Sequence, residues 1–449
     1  MEIISIDIGS TFTKGIRVSI RPQPVISARN SHPTTRDNIE TGFRRVVEAL
    51  GGREDVEIFV TSSAKGGLSI CAIGIVPQLT LKMAKQAALS AGGKIDDVFP
   101  YKLTGNHIRK LERNPPDIIL MTGGTDGGNE EFNLHNAEML SQLKSDVTIV
   151  YAGNRVCVEK VKDILSGKRL IVADNVLPDL ESPNPKDARQ KIRQVYIDLI
   201  IKGKGLSSVL EYAARPPLPT PYMMFEYIRK FSAVDPDWDS FCLVDLGGAT
   251  TDVYSRCSNQ VSTGTILKGL PDPDPSRTVE GDLGLRLSAD STFKALNESG
   301  MTGSITDSKI KELFEIYLAK IKGDLSFIPK DDIEIEFDRQ LAECCITQSI
   351  IRHSGRIYKT FLPSGEIFIQ EGKDLREVKR LVYTGGYLSR LTDNPVFNLN
   401  DYYDENGREI LCPRNFEIYT DREYILPMLA GISDRYPEEA VRLGIEHLR

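Results

Sequence analysis

Ile4-Ser5-Ile6-Asp7-Ile8-Gly9-Ser10-Thr11-Phe12-Thr13-Lys14 opens the chain, and Leu243-Val244-Asp245-Leu246-Gly247-Gly248-Ala249-Thr250-Thr251-Asp252 answers it past mid-chain. In both stretches an apolar strand ends in Asp-x-Gly, turns on small residues and resumes as a second strand. Aligned on that turn, Asp7 matches Asp245, Gly9 matches Gly247 and Thr13 matches Thr251. Each half therefore offers an acid at a strand end and a turn whose exposed N–H groups hold an anion. Two such hairpins facing each other would clamp a polyphosphate with its metal. The plainer alternative is two ordinary hairpins with turn-favouring Asp and Gly.

A third element weighs against that alternative. Leu381-Val382-Tyr383-Thr384-Gly385-Gly386-Tyr387-Leu388 reads as a buried strand, a glycine pair and a helix start. Without Cβ atoms, Gly385 and Gly386 let the backbone lie flat against a ring such as adenine. The order of acid hairpin, acid hairpin and Gly-Gly resembles the phosphate 1, phosphate 2 and adenosine motifs of the actin, sugar kinase and Hsp70 ATPase superfamily. That resemblance implies an α/β, two-lobed actin-like ATPase built from duplicated ribonuclease H-like domains. It also implies a nucleotide cleft between the lobes, with ATP and Mg²⁺ as cofactors.

The sequence of 449 residues has room for two or three domains. A formal charge of −7 argues against a nucleic-acid binder, which shows a basic face. No apolar run approaches bilayer length, and Met1-Glu2-Ile3-Ile4 leads straight into a strand. No membrane partner or signal peptide is therefore expected, and the cytoplasm is the default location. Seven cysteines are scattered without a C-x-x-C pair, as buried thiols in a reducing compartment are. This matters because the dehydratase activators of the superfamily hold an iron–sulfur cluster on cysteines. Cys344 and Cys345 lie in a stretch with helical periodicity, where adjacent positions point about 100° apart and do not share a metal.

The first lobe is expected over residues 1–232 and the second over 233–449. Strands are read at 56–63, 117–121 and 147–151, the first leading into the glycine turn Ala64-Lys65-Gly66-Gly67. Helices are read at 79–91, closed by Gly92-Gly93, at 155–165 and at 187–201. Four prolines in residues 215–221 break helix and central strand alike, which suits a lobe connection. Residues 437–449 read as an amphipathic helix with Ala440, Val441, Ile445 and Leu448 on its apolar side. In the superfamily such a helix docks back on the first lobe.

Phosphoryl transfer from ATP needs positioning and charge neutralisation more than covalent help. Amides of Gly9, Ser10 and Thr11, in the turn that ends at Thr13, would cradle the terminal phosphates, with Lys14 adding a cation. Asp7 and Asp245 would hold waters of a Mg²⁺ shell, because Mg²⁺ keeps most of its waters, and one of them would orient the attacking water. Gly247, Gly248, Thr250 and Thr251 would cover the phosphates from the second lobe. Thr122-Gly123-Gly124-Thr125-Asp126-Gly127-Gly128-Asn129 is an anion or metal loop or, with equal weight, two tight turns. Asp126, Asn129 and Asn154 are secondary candidates. Glu280 and Asp282 reach the nucleotide or belong to a turn. The five histidines are isolated in sequence, and no Asp-x-His-x-x-Gly motif supplies a cobalamin ligand.

The intervening motifs narrow the resemblance. Thr61-Ser62-Ser63-Ala64-Lys65-Gly66-Gly67-Leu68, the 122–129 stretch, Tyr151-Ala152-Gly153-Asn154, Ala173-Asp174-Asn175-Val176-Leu177-Pro178 and Glu280-Gly281-Asp282-Leu283-Gly284 follow in order. Together they resemble the glutamate mutase (methylaspartate mutase) accessory family, GlmL/MutL, from Ile6 to Leu426-Pro427. The resemblance implies a slow ATPase acting as reactivating chaperone for an adenosylcobalamin-dependent mutase, with a homodimer left open. A small-molecule kinase of the same fold and a filament-forming actin-like protein are the alternatives.

Overall fold

A computed structural model describes residues 1–34, 39–52, 56–63, 68–201, 206–258, 261, 264–299, 308–363, 365–393, 397 and 402–448. The glycine turn expected at 64–67 lies outside the described residues. The chain divides into two units: residues 1–226 with 430–436, and residues 227–429 with 437–449. The first boundary falls inside the helix Thr220–Ile228, ahead of the expected 232/233.

The first unit starts with β1 (Glu2–Ile8), β2 (Phe12–Ser19), β3 (Val25–Pro33) and β4 (Glu57–Ser62). β1 carries Ile4, Ile6 and Ile8 on one face and Ile3, Ser5 and Asp7 on the other, and its last six residues are buried, as in a central strand. β3 alternates exposed and half-buried positions, as an edge strand does. β1 pairs antiparallel with β2 and parallel with β4, which sets Asp7 opposite Lys14 on one side and Thr61 on the other. The chain then builds a second, parallel sheet from β5 (Ser69–Gly74), β6 (Lys94–Pro100), β7 (Ile118–Met121), β8 (Thr148–Tyr151) and β9 (Arg169–Val172). Helices at Thr80–Ser90, Gly105–Arg113, Glu131–Ser141 and Val158–Ile164 connect its strands.

The helix Lys186–Ile201 leads back toward the first sheet, and β10 (Leu218–Pro219) joins it parallel to β4. The proline segment is therefore not a linker. Its prolines cap the outermost strand, where a missing N–H costs no ladder bond. The first sheet runs β10-β4-β1-β2-β3.

The second unit contains β11 (Phe241–Leu246), β12 (Thr251–Arg256), β13 (Thr265–Leu267), β14 (Ser276–Glu280), β15 (Arg356–Leu362), β16 (Gly365–Glu371), β17 (Arg380–Thr384), β18 (Glu409–Ile410) and β19 (Glu417–Thr420). Its main sheet runs β14-β12-β11-β17-β19, and β13-β16-β15-β18 form a smaller one. Counted along the chain, both main sheets read 3-2-1-4-5. In each, the first strand is antiparallel to the second and parallel to the fourth. The turn duplicated in sequence thus sits in a duplicated sheet.

Helix Asp332–His353 packs on this sheet through Leu341, Cys345 and Ile346 in one continuous apolar core. All seven cysteines are free and buried, and burial pushes the Cys345 thiol up to about 12. The terminal helix Pro437–Leu448 buries Ala440, Val441, Ile445 and Leu448. It packs within the second unit, where the Tyr227 hydroxyl donates to the Ala440 carbonyl at 2.7 Å. Residues 430–436, just before it, belong to the first unit. No helix among the described residues is long and apolar enough to cross a membrane.

Candidate functional site

The two turns share one bond. Gly9 N–H donates to the Phe12 carbonyl at 3.0 Å, and Gly247 N–H donates to the Thr250 carbonyl at 2.9 Å. A Cβ on Gly9 would stand 2.8 Å from the Phe12 oxygen, and one on Gly247 3.0 Å from the Thr250 oxygen. Both glycines are set by this close approach. Among the described residues, no acceptor meets the N–H groups of Ser10 and Thr11, or those of Gly248 and Ala249. Ser10 and Thr11 are exposed and Gly248 and Ala249 half-buried, so each turn presents a pair of amides outward. Such a pair suits phosphate oxygens.

The residues behind each turn are committed to holding it. Thr13 and Thr251 are fully buried. The Thr13 hydroxyl pairs with that of Thr34 at 3.0 Å, and the Thr251 hydroxyl donates to the Leu283 carbonyl at 3.0 Å. Both brace the hairpins from within the fold. In the second unit, Leu285 N–H donates to Gly247 O, and Arg286 and Leu287 N–H to Gly248 O. Ser288 Oγ takes up the Ala249 and Gly281 carbonyls. Gly284 fits only without a Cβ, which would lie 2.7 Å from the Ala249 carbonyl carbon. The Glu280-Gly281-Asp282-Leu283-Gly284 motif is thus the brace of the second turn.

The two acids differ in surroundings. Asp7 is 2% exposed, and its Oδ1 accepts from Thr61 Oγ1 at 3.0 Å and Thr220 Oγ1 at 2.5 Å. Burial pushes its carboxyl above the usual range, opposed by the Thr220 hydroxyl, the Lys14 charge and the Thr61 hydroxyl. Asp245 is half-buried. Thr384 pairs with it in register as Thr61 does with Asp7, yet donates to Asp421 Oδ2 at 2.9 Å. Asp421 in turn accepts from the N–H groups of Ile425 and Leu426 and caps the helix Leu426–Ile432.

Gly385 has φ +126°, and a Cβ there would lie 2.2 Å from the Leu246 carbonyl. Its missing side chain makes room for β11, whereas Gly386 is exposed. Glu280 and Asp282 share one arginine: Arg352 Nη1 donates to them at 2.8 and 2.7 Å. Asp252, which follows the second turn, is held in a buried pair by Arg277. His353 is not isolated in space: it is buried between Ser255 Oγ at 2.7 Å and Thr278 Oγ1 at 2.8 Å. Asp126 and Asn154 meet in the other sheet of the first unit, away from β1.

Sequence reasoning missed Thr61 and Thr220. Thr61 reaches Asp7 through strand register, and Thr220 was hidden behind prolines that read as a linker. As for a metal, the chemistry of the donor set fits in part. Asp245 stands half-exposed at a strand end, as a carboxylate holding hydrated Mg²⁺ would, while Asp7 offers a nearly sealed, hydroxyl-bound carboxyl.

A duplicated 3-2-1-4-5 sheet, each copy with an acid and an amide-lined turn after its first strand, defines a protein of the actin-like ATPase fold. A family model described as MutL protein matches residues 3–448. Protein MutL of Clostridium tetanomorphum is 34% identical over 456 residues, covering 99% of this chain and 98% of that protein. The chain belongs to the MutL family. Among solved structures, xylulose kinase from Lactobacillus acidophilus aligns at 13% identity and TM-score 0.32, over 99% of this chain and 90% of that one. The activator of 2-hydroxyisocaproyl-CoA dehydratase from Clostridium difficile, with bound ADPNP, aligns at 11% and TM-score 0.30, over 100% and 98%. Alignments this loose carry no functional weight.

Proposed function

We propose that this protein binds Mg-ATP, hydrolyses it slowly, and uses the nucleotide state to reactivate an adenosylcobalamin-dependent mutase. The observation that carries the nucleotide reading is the paired turn: one bond geometry, repeated 238 residues apart, with two outward amides in each copy. Ser10 and Thr11 in one turn, and Gly248 and Ala249 in the other, bind phosphate oxygens. Lys14, opposite Asp7 in the ladder, adds positive charge on the phosphate side. Mg²⁺, when bound, neutralises charge on the phosphates. Asp245 holds its water shell, while Asp7 acts through the Thr61 and Thr220 hydroxyls that orient it. Gly386 gives the base an open backbone surface.

Membership of the MutL family supports a mutase as partner, since family members carry the name of a glutamate mutase accessory protein. Each nucleotide state need only favour a different partner affinity for hydrolysis to drive release of a damaged cofactor. The test mixes inactivated mutase, adenosylcobalamin and this protein, with and without Mg-ATP. Activity should return only with Mg-ATP, and Asp245→Ala should cut both ATP turnover and recovery by on the order of 10²-fold. If no adenosylcobalamin mutase of the host recovers while ATP is still consumed, a small-molecule kinase is the better reading.

A further inference from the structure

The two main sheets repeat more than their turns. In each, a threonine on the parallel strand beside the acid stands in register with it: Thr61 on β4 opposite Asp7, and Thr384 on β17 opposite Asp245. Parallel neighbours in register share one face of the sheet, and their strands lie about 4.8 Å apart. A hydroxyl at that position can therefore reach the acid. In the first sheet it does, at 3.0 Å. In the second sheet the matching hydroxyl turns the other way.

The cause lies one strand further out. In the first sheet β10 lies beyond β4 and places Leu218 in register with Thr61, and a leucine side chain accepts no hydrogen bond. In the second sheet β19 lies beyond β17, and Thr420 pairs with Tyr383. Asp421 comes next and stands level with Thr384, its own N–H bonded to the Tyr383 carbonyl at 2.8 Å. One hydroxyl thus lies between two carboxylates in the row Asp245, Thr384, Asp421. A threonine has a single side-chain proton to donate, and Thr384 gives it to Asp421 Oδ2 at 2.9 Å.

The surroundings favour that choice. Thr384 is fully buried and Asp421 is 1% exposed, so neither turns to water. The Asp421 carboxylate is also oriented independently of Thr384, by Ile425 N–H at 2.9 Å and Leu426 N–H at 3.0 Å. Its backbone is held as well, since Tyr424 N–H donates to the Asp421 carbonyl at 3.1 Å.

We propose that Asp421 is a positioning residue for the second acid: by engaging the Thr384 hydroxyl it keeps that group off Asp245, so that Asp245 serves metal-bound water. The inference rests on the Mg-ATP reading above and adds to it the residue that sets the two acids apart. Asp7 has one oxygen committed to two hydroxyls within the fold. Asp245 is spared the equivalent bond because an acid, rather than a leucine, stands on the outer strand.

The test measures by calorimetry how much Mg²⁺ the full-length protein needs to bind ADPNP, an ATP analogue that is not hydrolysed. Asp421→Asn keeps the shape of the side chain and removes its charge. A hydroxyl between a neutral amide and a carboxylate donates to the carboxylate, whose charge makes the stronger bond. This variant should need about tenfold more Mg²⁺ for half-saturation, with unchanged affinity for the nucleotide alone. Thr384→Val removes the hydroxyl and should leave the Mg²⁺ requirement at the wild-type level. Combined with Asp421→Asn it should restore that level, which a merely structural role for Asp421 does not allow. The proposal is overturned if Asp421→Asn needs no more Mg²⁺ than wild type, or if the double variant is as impaired as Asp421→Asn. It is also overturned if Thr384→Val alone raises the requirement, a comparison that holds should Asp421→Asn fail to fold. Failure of the nucleotide reading looks different: wild type then binds no ADPNP at any Mg²⁺ concentration, and the proposal falls with it.

Discussion

At the scale of single residues, two acids that look alike in sequence hold different stations. Asp7 is sealed against two threonine hydroxyls, and its folded-state pKa lies above the unfolded one. A raised carboxyl stabilises the fold below the ordinary carboxylate range, and that contribution is lost as pH rises through the folded value. Asp7→Asn keeps the Oδ1 acceptor for both hydroxyls and carries no charge. Without nucleotide, the variant should therefore melt higher than wild type near pH 8, by roughly 2–4 °C for each kcal/mol recovered. The gap should shrink as pH falls toward the ordinary carboxylate range of about 4, because folded Asp7 takes up its proton above that range. Calorimetry across that range checks it; an equal or lower melting temperature at pH 8 would refute the sealed-carboxyl account. The acids were legible because Asp-x-Gly after an apolar strand is a local pattern. Their partners were not, because Thr61 and Thr220 arrive through pairing across 54 and 213 positions.

At the scale of elements, the strands and helices that carry periodicity fall where the sequence places them, as with β1, β2, β4 and Thr80–Ser90. The 215–221 segment escaped because proline argues against a central strand but permits an outermost one. The duplicated sheet was visible only at its first two strands. Both third strands are edges, but β3 alternates exposed and half-buried positions while β14 starts buried at Ser276 and Arg277, so the later strands of the two copies share no pattern. One helix yields a prediction against propensity. Glycine inside a helix usually costs about 1 kcal/mol relative to alanine, so Gly444→Ala looks stabilising. Here a Cβ would stand 2.2 Å from the hydroxyl of fully buried Tyr227 and 3.4 Å from Leu426. The hydroxyl is tied to Ala440 and has little room to retreat. Gly444→Ala should therefore destabilise by roughly 1–3 kcal/mol, the range for overpacking. Urea unfolding decides the sign, and Tyr227→Phe should relieve part of the loss.

At the scale of the whole molecule, chain order and unit membership do not coincide. The first unit closes with residues 430–436, far from the rest of its sequence. That short piece is well anchored. Gly431 has space for no Cβ beside Ser5 Oγ, its carbonyl accepts from Arg215 Nη2 at 2.8 Å, and Asp434 pairs with Arg215. Tyr436 donates to Glu57 Oε2 at 3.1 Å and meets Phe59 edge-on. A fragment ending at 226 leaves the Arg215 guanidinium without its Gly431 and Asp434 acceptors and Phe59 without the Tyr436 ring. Limited proteolysis should cut this fragment faster than the same region of the full chain, and a peptide spanning 427–437 added at millimolar concentration should slow the cutting. No local pattern announces the return, since it is a property of tertiary contact. Its consequence lies in biosynthesis. A ribosome adding about 5–20 residues per second delivers the last contacts of the first unit, in residues 430–436, only after residues 227–429 have been made. Most of that unit emerges early, with Arg215 and Phe59 uncovered, and waits through that interval. Sealing of the first unit waits on residues 430–436, so a product that stops before them leaves Arg215 and Phe59 open.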